Sequence, residues 1–287
     1  MAAVFAQEIY ERHNSFDSSF VNDFKRWLRI TLSFLQVDIY LKRAVRYSRI
    51  RFCNRLQQPE KKPVHSLSPS HGRRVDRVDD SVNVMKILTV SDVVEPSLYP
   101  LVDAGRHTGI NLILACGDLP PEYLSFLSSF FNVPLYYVCG NHDIRYNEKR
   151  PMGCTDVHGR LVRFRGLNIL GLGGSHWYNG GPHQYTEGQM RLMVLRMLPT
   201  LWRRGGVDVV ITHAPPRYVH DAEDPCHKGF VVFRRLIRRW RPQYFVHGHI
   251  HCRFSHDSER LSLVESTRVI NTYGYFQLEI DDRPSAG

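Results

Sequence analysis

Compact apolar runs that end in short polar signatures are the feature that most constrains how this 287-residue chain can fold. Runs of this kind, without the alternation of a half-exposed strand, are typical of strands buried on both faces. Most are followed within a few residues by Asp, Asn or His, so one sheet can deliver these side chains to one edge. The runs are Ile87–Val90, Ile110–Ala115, Pro134–Val138, Leu167–Leu172, Val207–Ile211 and Tyr244–Val246.

A capping signal marks the first of two helices expected between these runs. Thr186 and Gln189 form a plausible capping box for the segment 190–202. The methionines of this segment fall on one face, which predicts core packing rather than a metal-binding role. Pro199 predicts that the helix kinks or ends near Leu198.

The last third of the chain adds a second helix and more strands. Residues 231–241 predict a short helix that is apolar on one side and arginine-rich on the other. Residues 268–280 predict two strands around a turn at 271–274. Strands interspersed with helices predict a layered α/β sandwich.

Composition sets limits on compartment and membrane insertion. The six cysteines form no CxxC pair or close framework, which favours a reduced, cytoplasmic setting. Residues 1–13 carry charges before any apolar run develops, so no cleaved export signal is predicted. The longest uncharged stretch between Arg29 and Lys42 is residues 30–37, far short of the ~20 apolar residues that span a bilayer.

The amino-terminal part of the chain is more basic than the remainder. Residues 1–84 carry 15 Lys and Arg against 9 Asp and Glu, which is +6 of the total net charge of +10. Residues 1–56 predict a basic amphipathic helical extension, and residues 57–84 predict a proline- and serine-containing linker. The domain after this linker spans 85–281, and 282–287 form a tail.

The function of the basic extension has three interpretations. Its apolar stripe can pack on the rest of the protein or on another copy of itself. It can also bind peripherally to the anionic inner face of a membrane, where burial and charge both contribute. Nucleic acid is a third candidate partner, although no aromatic-and-basic stacking motif is present. The sequence leaves the oligomeric state open.

The polar signatures share an order with a known family. They are Asp92, Gly117-Asp118, Gly140-Asn141-His142-Asp143, His213 and Gly248-His249-Ile250-His251. Each is weak alone, but in this order, mostly after strand-like runs, they resemble the calcineurin-like metallophosphoesterase superfamily. The resemblance implies a four-layered α/β/β/α metallophosphoesterase sandwich, here preceded by the basic helical extension. It also implies a metal-dependent hydrolase of phosphomonoesters or phosphodiesters, that is, a phosphatase or phosphodiesterase.

Residue roles follow from the same resemblance. Asp118 would bridge two divalent cations, and one of these would also be held by Asn141, His213 and His249. The other would be held by Asp92 and His251. A metal-bound water would attack phosphorus. His142 would protonate the leaving alkoxide as the general acid, oriented by Asp143.

One position departs from the family pattern. The family has Asp-x-His after the first strand, whereas Val94 stands here in place of the histidine. The cation held by Asp92, Asp118 and His251 therefore loses a donor, and we expect it to bind more weakly. One or two ions can bind, and the donors do not distinguish Mn, Fe, Zn and Ni. A metal-depleted pseudoenzyme that acts as a binding module is one alternative, and a membrane-proximal phospholipid or lipid-linked phosphoesterase is another.

Three residues are candidates for substrate contact. Arg217 and His220 follow His213 in the chain, and Arg217 is suited to pair with a phosphate oxygen. His176 lies in a glycine-rich segment, residues 171–181, that is a candidate wall of the site. An ordinary surface role in a solvated loop is the competing interpretation for each of them.

Overall fold

The computed structural model describes residues 84–99 and 107–281. The predicted extension 1–56, all but the last residue of the predicted linker and the tail 282–287 lie outside the described residues. Val84, the last linker residue, begins the first strand.

Five strands form the first sheet. Four of them run parallel, and the last strand of the chain is antiparallel to the first. Their order across the sheet is β13-β1-β2-β3-β4, with β1 Val84–Ser91, β2 Ile110–Ala115, β3 Leu135–Tyr137, β4 Cys154–Asp156 and β13 Gly274–Asp281.

Six strands form the second sheet. Its four inner strands are parallel, and both edge strands are antiparallel. The order is β11-β12-β10-β9-β6-β5, with β5 Arg160–Phe164, β6 Leu167–Leu172, β9 Val209–Thr212, β10 Tyr244–His247, β11 Leu261–Val264 and β12 Thr267–Asn271. A small parallel pair, β7 Ser175–His176 and β8 Gln184–Tyr185, and two 3-10 turns, Ile144–Asn147 and Asp257–Arg260, complete the strands and short turns.

The described residues form three helices, which are α1 Pro121–Phe131, α2 Glu187–Arg203 and α3 Val231–Trp240. The Thr186–Gln189 capping box at the start of α2 is confirmed, and α3 agrees with its prediction within one residue. The helix does not end at Pro199, because α2 continues through it to Arg203, and the alternative of a kink there stays a prediction. Burial of Leu201 in the core beneath the helix offsets the backbone hydrogen bond that proline cannot donate.

Alternation along the strands assigns each side chain to a layer. On β1, Ile87 packs into a cluster shared by the two sheets, and the next residue, Leu88, packs into the cluster that contains residues of α1. On β9, Val209 faces the shared cluster and Val210 faces the cluster that contains residues of α2 and α3. Burying each such side chain stabilises the fold by about 1.5–3 kcal/mol. The four-layered α/β/β/α sandwich is therefore confirmed.

Two other findings concern the described residues alone. No helix among them combines the length and the hydropathy needed to cross a bilayer. Their five cysteines are all free thiols, and the sixth, Cys53, lies outside the described residues.

Candidate metal centre

The polar signatures lie at the carboxyl ends of parallel strands in both sheets. Asp92 follows β1, Asp118 follows β2 and Asn141 follows β3 in the first sheet. His213 follows β9 and His249 follows β10 in the second. The carboxyl edge of parallel strands is where open α/β sheets bind ligands, so the topology alone gathers these residues.

Left-handed backbone and close loop contact position these side chains. Asp92, Asp118 and His249 have φ angles of 64°, 56° and 68°, values that are uncommon for residues with a Cβ and concentrate at functional sites. A Cβ at Gly117 would collide with the backbone of Gly140, and a Cβ at Gly140 would collide with the Asp118 carboxylate. Both glycines are therefore needed for the loops after β2 and β3 to touch.

Four donor atoms converge around the His213 ring. Its Nε2 lies 3.2 Å from Asp118 Oδ2, 3.1 Å from Asn141 Oδ1 and 3.0 Å from His249 Nδ1. His213 is fully buried, and Asn141 and His249 are nearly so. Carboxylate, amide and imidazole donors within a hydrogen-bond length of one imidazole nitrogen are the ligand set of a borderline divalent cation.

Backbone carbonyls determine which ring nitrogen of His213 and of His249 carries the proton and which directs a lone pair at the cluster. His213 Nδ1 lies 2.8 Å from the Cys116 carbonyl oxygen, and His249 Nε2 lies 2.6 Å from the Cys226 carbonyl oxygen. A carbonyl only accepts, so each of these nitrogens carries the proton. When both rings are neutral, His213 Nε2 and His249 Nδ1 present their lone pairs to each other beside two oxygen acceptors. A cation satisfies all four atoms at once, so the residues present fit a metal.

The charges of the cluster shift its pKa values strongly. Burial opposes ionisation of Asp118, but the neighbouring His213 prevails and lowers the pKa of Asp118 to about 2. Burial likewise opposes protonation of His213, and Asp118 overcomes it to raise the pKa of His213 to about 9. Burial and the adjacent His213 lower the pKa of His249 to about 4. Asp118 therefore carries its negative charge at neutral pH, as a metal ligand requires.

Asp92 and His251 lie beside this cluster. The Asp92 carboxylate is buried and accepts the His249 backbone N–H at 3.0 and 3.1 Å. His251 Nε2 lies 3.5 Å from Asp92 Oδ1, and the hydrogen bond to Asp92 raises the pKa of His251. The His251 side chain is 59% exposed. This second pair is thus more open to solvent than the cluster around His213.

Asp143 fixes the loops on either side of the site. Its carboxylate accepts the backbone N–H groups of Asp118 and Gly140 at 2.8 Å and of Leu119 at 3.0 Å. These contacts differ from the expected pairing with the His142 ring. The backbone N–H of His142 donates to Asp118 Oδ1 at 2.8 Å, and its side chain is exposed at the surface of the site.

Arg217 has partners within its own loop. Its guanidinium donates to Asp221 at 2.6 Å and to Glu223 at 2.7 Å, and only 5% of the residue is exposed. These bonds raise the pKa of Arg217, with Glu223 the largest cause. The guanidinium therefore stabilises the loop after β9, and its contact with a phosphate stays a prediction.

His220 and His176 also have partners outside the donor cluster. His220 Nδ1 lies 2.9 Å from His247 Nε2, and its Nε2 lies 2.8 Å from the Ser262 hydroxyl. Burial lowers the pKa of His220. The His176 ring packs against Phe230 with ring centroids 5.3 Å apart. Both nitrogens of His220 are thus engaged in packing the second sheet, and substrate contact by either residue stays a prediction.

Sequence reasoning missed two residues that define the cluster. The Asn141 amide donates from Nδ2 to the Tyr178 hydroxyl at 3.2 Å, which turns Oδ1 toward His213. Tyr178 lies within the glycine-rich segment that the sequence marks as a candidate wall, and that segment was the available signal. The Cys226 carbonyl selects the His249 tautomer. The sequence could not predict this contact, because every residue type has a backbone carbonyl.

Comparison with known families agrees with this geometry. A sequence model described as calcineurin-like phosphoesterase matches residues 85–253, more than half of the chain. The chain belongs to this family. Calcineurin-like phosphoesterases use divalent metals to hydrolyse phosphoesters, and Asp118, His213 and His249 form a group able to hold such an ion here.

Individual proteins are more distantly similar. The chain is 25% identical over 227 residues to metallophosphoesterase domain-containing protein 1 of Homo sapiens and to its Mus musculus counterpart. Each alignment covers 64% of this chain and 67% of the relative. These relatives carry the same domain name as the family, which agrees with the membership.

Solved structures share the fold at low sequence identity. One aligns with a TM-score of 0.51 at 17% identity and covers 68% of this chain and 95% of its own. The protein TT1561 of Thermus thermophilus aligns with a TM-score of 0.49 at 17% identity and covers 70% and 100%. The first of these supports the α/β/β/α architecture.

Proposed function

We propose that this calcineurin-like phosphoesterase hydrolyses a phosphomonoester or phosphodiester at the cluster around His213. Asp118, Asn141, His213 and His249 hold one divalent cation, and Asp92, with Asp118 and His251, holds a second. The observation that carries the proposal is the convergence of two imidazole nitrogens, 3.0 Å apart, with the Asp118 carboxylate and the Asn141 amide oxygen. With both rings neutral, such an arrangement is costly unless a cation lies among the four atoms, and a proton on His213 competes with that cation.

The protein groups divide the chemistry among them. Bound cations would neutralise phosphoryl charge and activate water. The water oxygen bonds to phosphorus as the bond to the leaving oxygen breaks, and His142 donates a proton to that oxygen. Its ring is exposed on a backbone tied to Asp118, which supports an acid role at the mouth of the site. Asp143 positions this loop by holding its backbone.

The donor set suits several metals, and the proposal covers both ester classes. Imidazole with carboxylate suits Mn, Fe, Zn or Ni, so availability decides among them. The open His251 side admits a substrate group of either ester class.

A binding module with an impaired site is the second candidate, and Val94 favours it because one cation lacks an imidazole donor. The two candidates differ in turnover.

The test replaces His142 with alanine and uses Mn²⁺ with phosphodiesters of graded leaving groups. Loss of a general acid should lower kcat by about 10²- to 10⁴-fold for a poor alkoxide leaving group, and less for a good aryloxide. The control is His256→Ala, which removes an exposed histidine beyond β10 and should leave kcat unchanged. Equal losses for all leaving groups would argue against the acid role, and no turnover with any metal would favour the binding module.

Membrane association of the extension is a separate proposal and rests on sequence alone. Basic amphipathic character within residues 1–56 supports binding to anionic lipid, and hence a phospholipid or lipid-linked substrate. The full chain should sediment with anionic liposomes, whereas a chain lacking these residues should stay in the supernatant. Equal binding by both would end the idea.

A further inference from the structure

A second group of metal-ligating side chains lies on the turn that supplies the Cys226 carbonyl to His249. Asp224, Cys226 and His227 each offer one donor atom to this group. Cys226 Sγ lies 3.0 Å from Asp224 Oδ1 and 3.2 Å from His227 Nδ1, and the last two atoms are 2.9 Å apart. All three donors are thus in mutual contact within four residues of chain.

The local backbone holds these donors together. Pro225 lies between Asp224 and Cys226, and its ring fixes the backbone φ angle there. The His227 backbone N–H donates to Asp224 Oδ1 at 3.1 Å. The Ala222 N–H closes the loop on the His227 carbonyl at 3.2 Å. The side chains are therefore gathered by the turn itself, which lowers the entropic cost of bringing them to one ligand.

We propose that Asp224, Cys226 and His227 bind a divalent cation of the zinc type through Oδ1, Sγ and Nδ1. Mixed sulfur, nitrogen and oxygen donors suit tetrahedral Zn²⁺. Tetrahedral bond lengths place such donors about 3.3–3.6 Å apart, so each moves outward by a few tenths of an ångström. Binding releases the Cys226 thiol proton to solvent, and the His227 ring carries its remaining proton on Nε2.

Solvent access and proton placement both favour an ion here. The Asp224 and His227 side chains are 47% and 41% exposed, which leaves an entry path and a fourth position for water or another ligand. In the hydrogen-bonded arrangement, Cys226 and His227 both direct donors at the single atom Asp224 Oδ1. A dication satisfies all three side chains without that competition.

The proposed ion would bear on the catalytic cluster through shared backbone. The Cys226 carbonyl accepts from His249 Nε2 at 2.6 Å, and the His227 ring lies 5.4 Å from the His249 ring. Ordering the turn would therefore hold the carbonyl that sets the His249 tautomer. Its donors are nevertheless separate from those of the catalytic cluster, so the two sites can be loaded and tested independently.

The test uses Co²⁺ alone as a spectroscopic probe of the purified full-length protein. A thiolate ligand produces a sulfur-to-cobalt charge-transfer band, whereas the nitrogen and oxygen donors of the catalytic cluster produce none. We expect the band in the wild type and its loss in Cys226→Ser, which keeps a hydroxyl for Asp224. Cys154→Ser, at a half-buried cysteine in β4, is the matched control and should keep the band.

Two further variants separate this site from the catalytic one. His227→Phe keeps a ring beside His249 but removes the nitrogen ligand, and should weaken cobalt binding at least about tenfold. Asp118→Asn, in the catalytic cluster, should leave the band intact whatever it does to hydrolysis. A wild type without the band, a band that survives Cys226→Ser, or a band lost in Cys154→Ser or Asp118→Asn would overturn the proposal.

Discussion

Val94 is the residue at which this chain departs from the metal-ligand pattern of its family. It is half-buried and packs against the core beneath α1, in keeping with an apolar role. The neighbouring Glu95, the nearest carboxylate that could replace the missing donor, lies against Gly274 in the space that a Cβ would occupy. The cation proposed beside Asp92 and His251 would therefore have fewer protein donors than its neighbour.

Unequal retention of the two ions follows from this difference. After dialysis against metal-free buffer, we expect the ion at His213 to remain and the ion at Asp92 and His251 to leave. Val94→His should tighten the weaker ion by at least about tenfold, because it restores a direct imidazole donor. Metal content per chain measures both effects. Two ions retained with equal tenacity in the wild type would refute the asymmetry.

At the scale of elements, the start of α2 stabilises the start of α3. Phe230 precedes α3 and has no capping side chain of its own. The Glu187 carboxylate, from the first turn of α2, accepts the backbone N–H groups of Val231 at 3.0 Å and Val232 at 2.7 Å. A negative charge at a helix amino terminus also interacts favourably with the helix dipole. One residue thus joins two helices that cover the same face of the second sheet.

Glu187→Ala should lower the free energy of unfolding by about 1–2 kcal/mol, since it removes an acceptor from two amide groups. Glu187→Gln should recover part of the loss, because it keeps one amide oxygen. Glu148→Ala, at an exposed glutamate after the first 3-10 turn, should change stability by less than about 0.5 kcal/mol. Urea unfolding of the three variants provides the comparison, and equal effects at positions 187 and 148 would contradict the interhelical cap.

At the scale of the whole molecule, the chain passes from the first sheet to the second at His158. It follows β4 and bridges to Gly171 of the second sheet. The Gly173 N–H donates to His158 Nδ1 at 2.9 Å, so this nitrogen must be unprotonated. The ring stacks on Tyr185 at a centroid distance of 5.6 Å. Burial lowers the pKa of His158, Asp156 opposes the shift and His183 adds to it.

Stability should therefore fall in acid partly through His158. Its folded-state pKa lies below its unfolded value, so its contribution is present above about pH 6.5 and is lost as the pH falls below that value. His158→Asn keeps an acceptor for Gly173 without a titrating ring, and should lose less unfolding free energy on acidification than the wild type. His256→Asn, at an exposed histidine, should follow the wild type. Identical acid sensitivity in all three proteins would exclude this role.

Local signals in the sequence predicted many of the elements. The bounds of β2 and β6 match their apolar runs, because a strand buried on both faces is apolar at nearly every position. Helix α1 was missed, although Pro121 in its first turn was an available start signal. Helix α2 continues past Pro199, where the sequence predicted a kink or an end, because tertiary burial outweighs the local cost of proline.

Residue order along the chain was enough to predict the strands that precede the donors and, through the resemblance of the donor order, the family and the sandwich. Packing in three dimensions was needed to establish which atoms face one another. The Cys116 carbonyl meets His213 across 97 positions of chain, and the acceptors of Arg217 are Asp221 and Glu223 of its own loop. Residue types and spacing carry propensities for local structure, whereas ring tautomers and ion pairs depend on distant groups that only packing brings together.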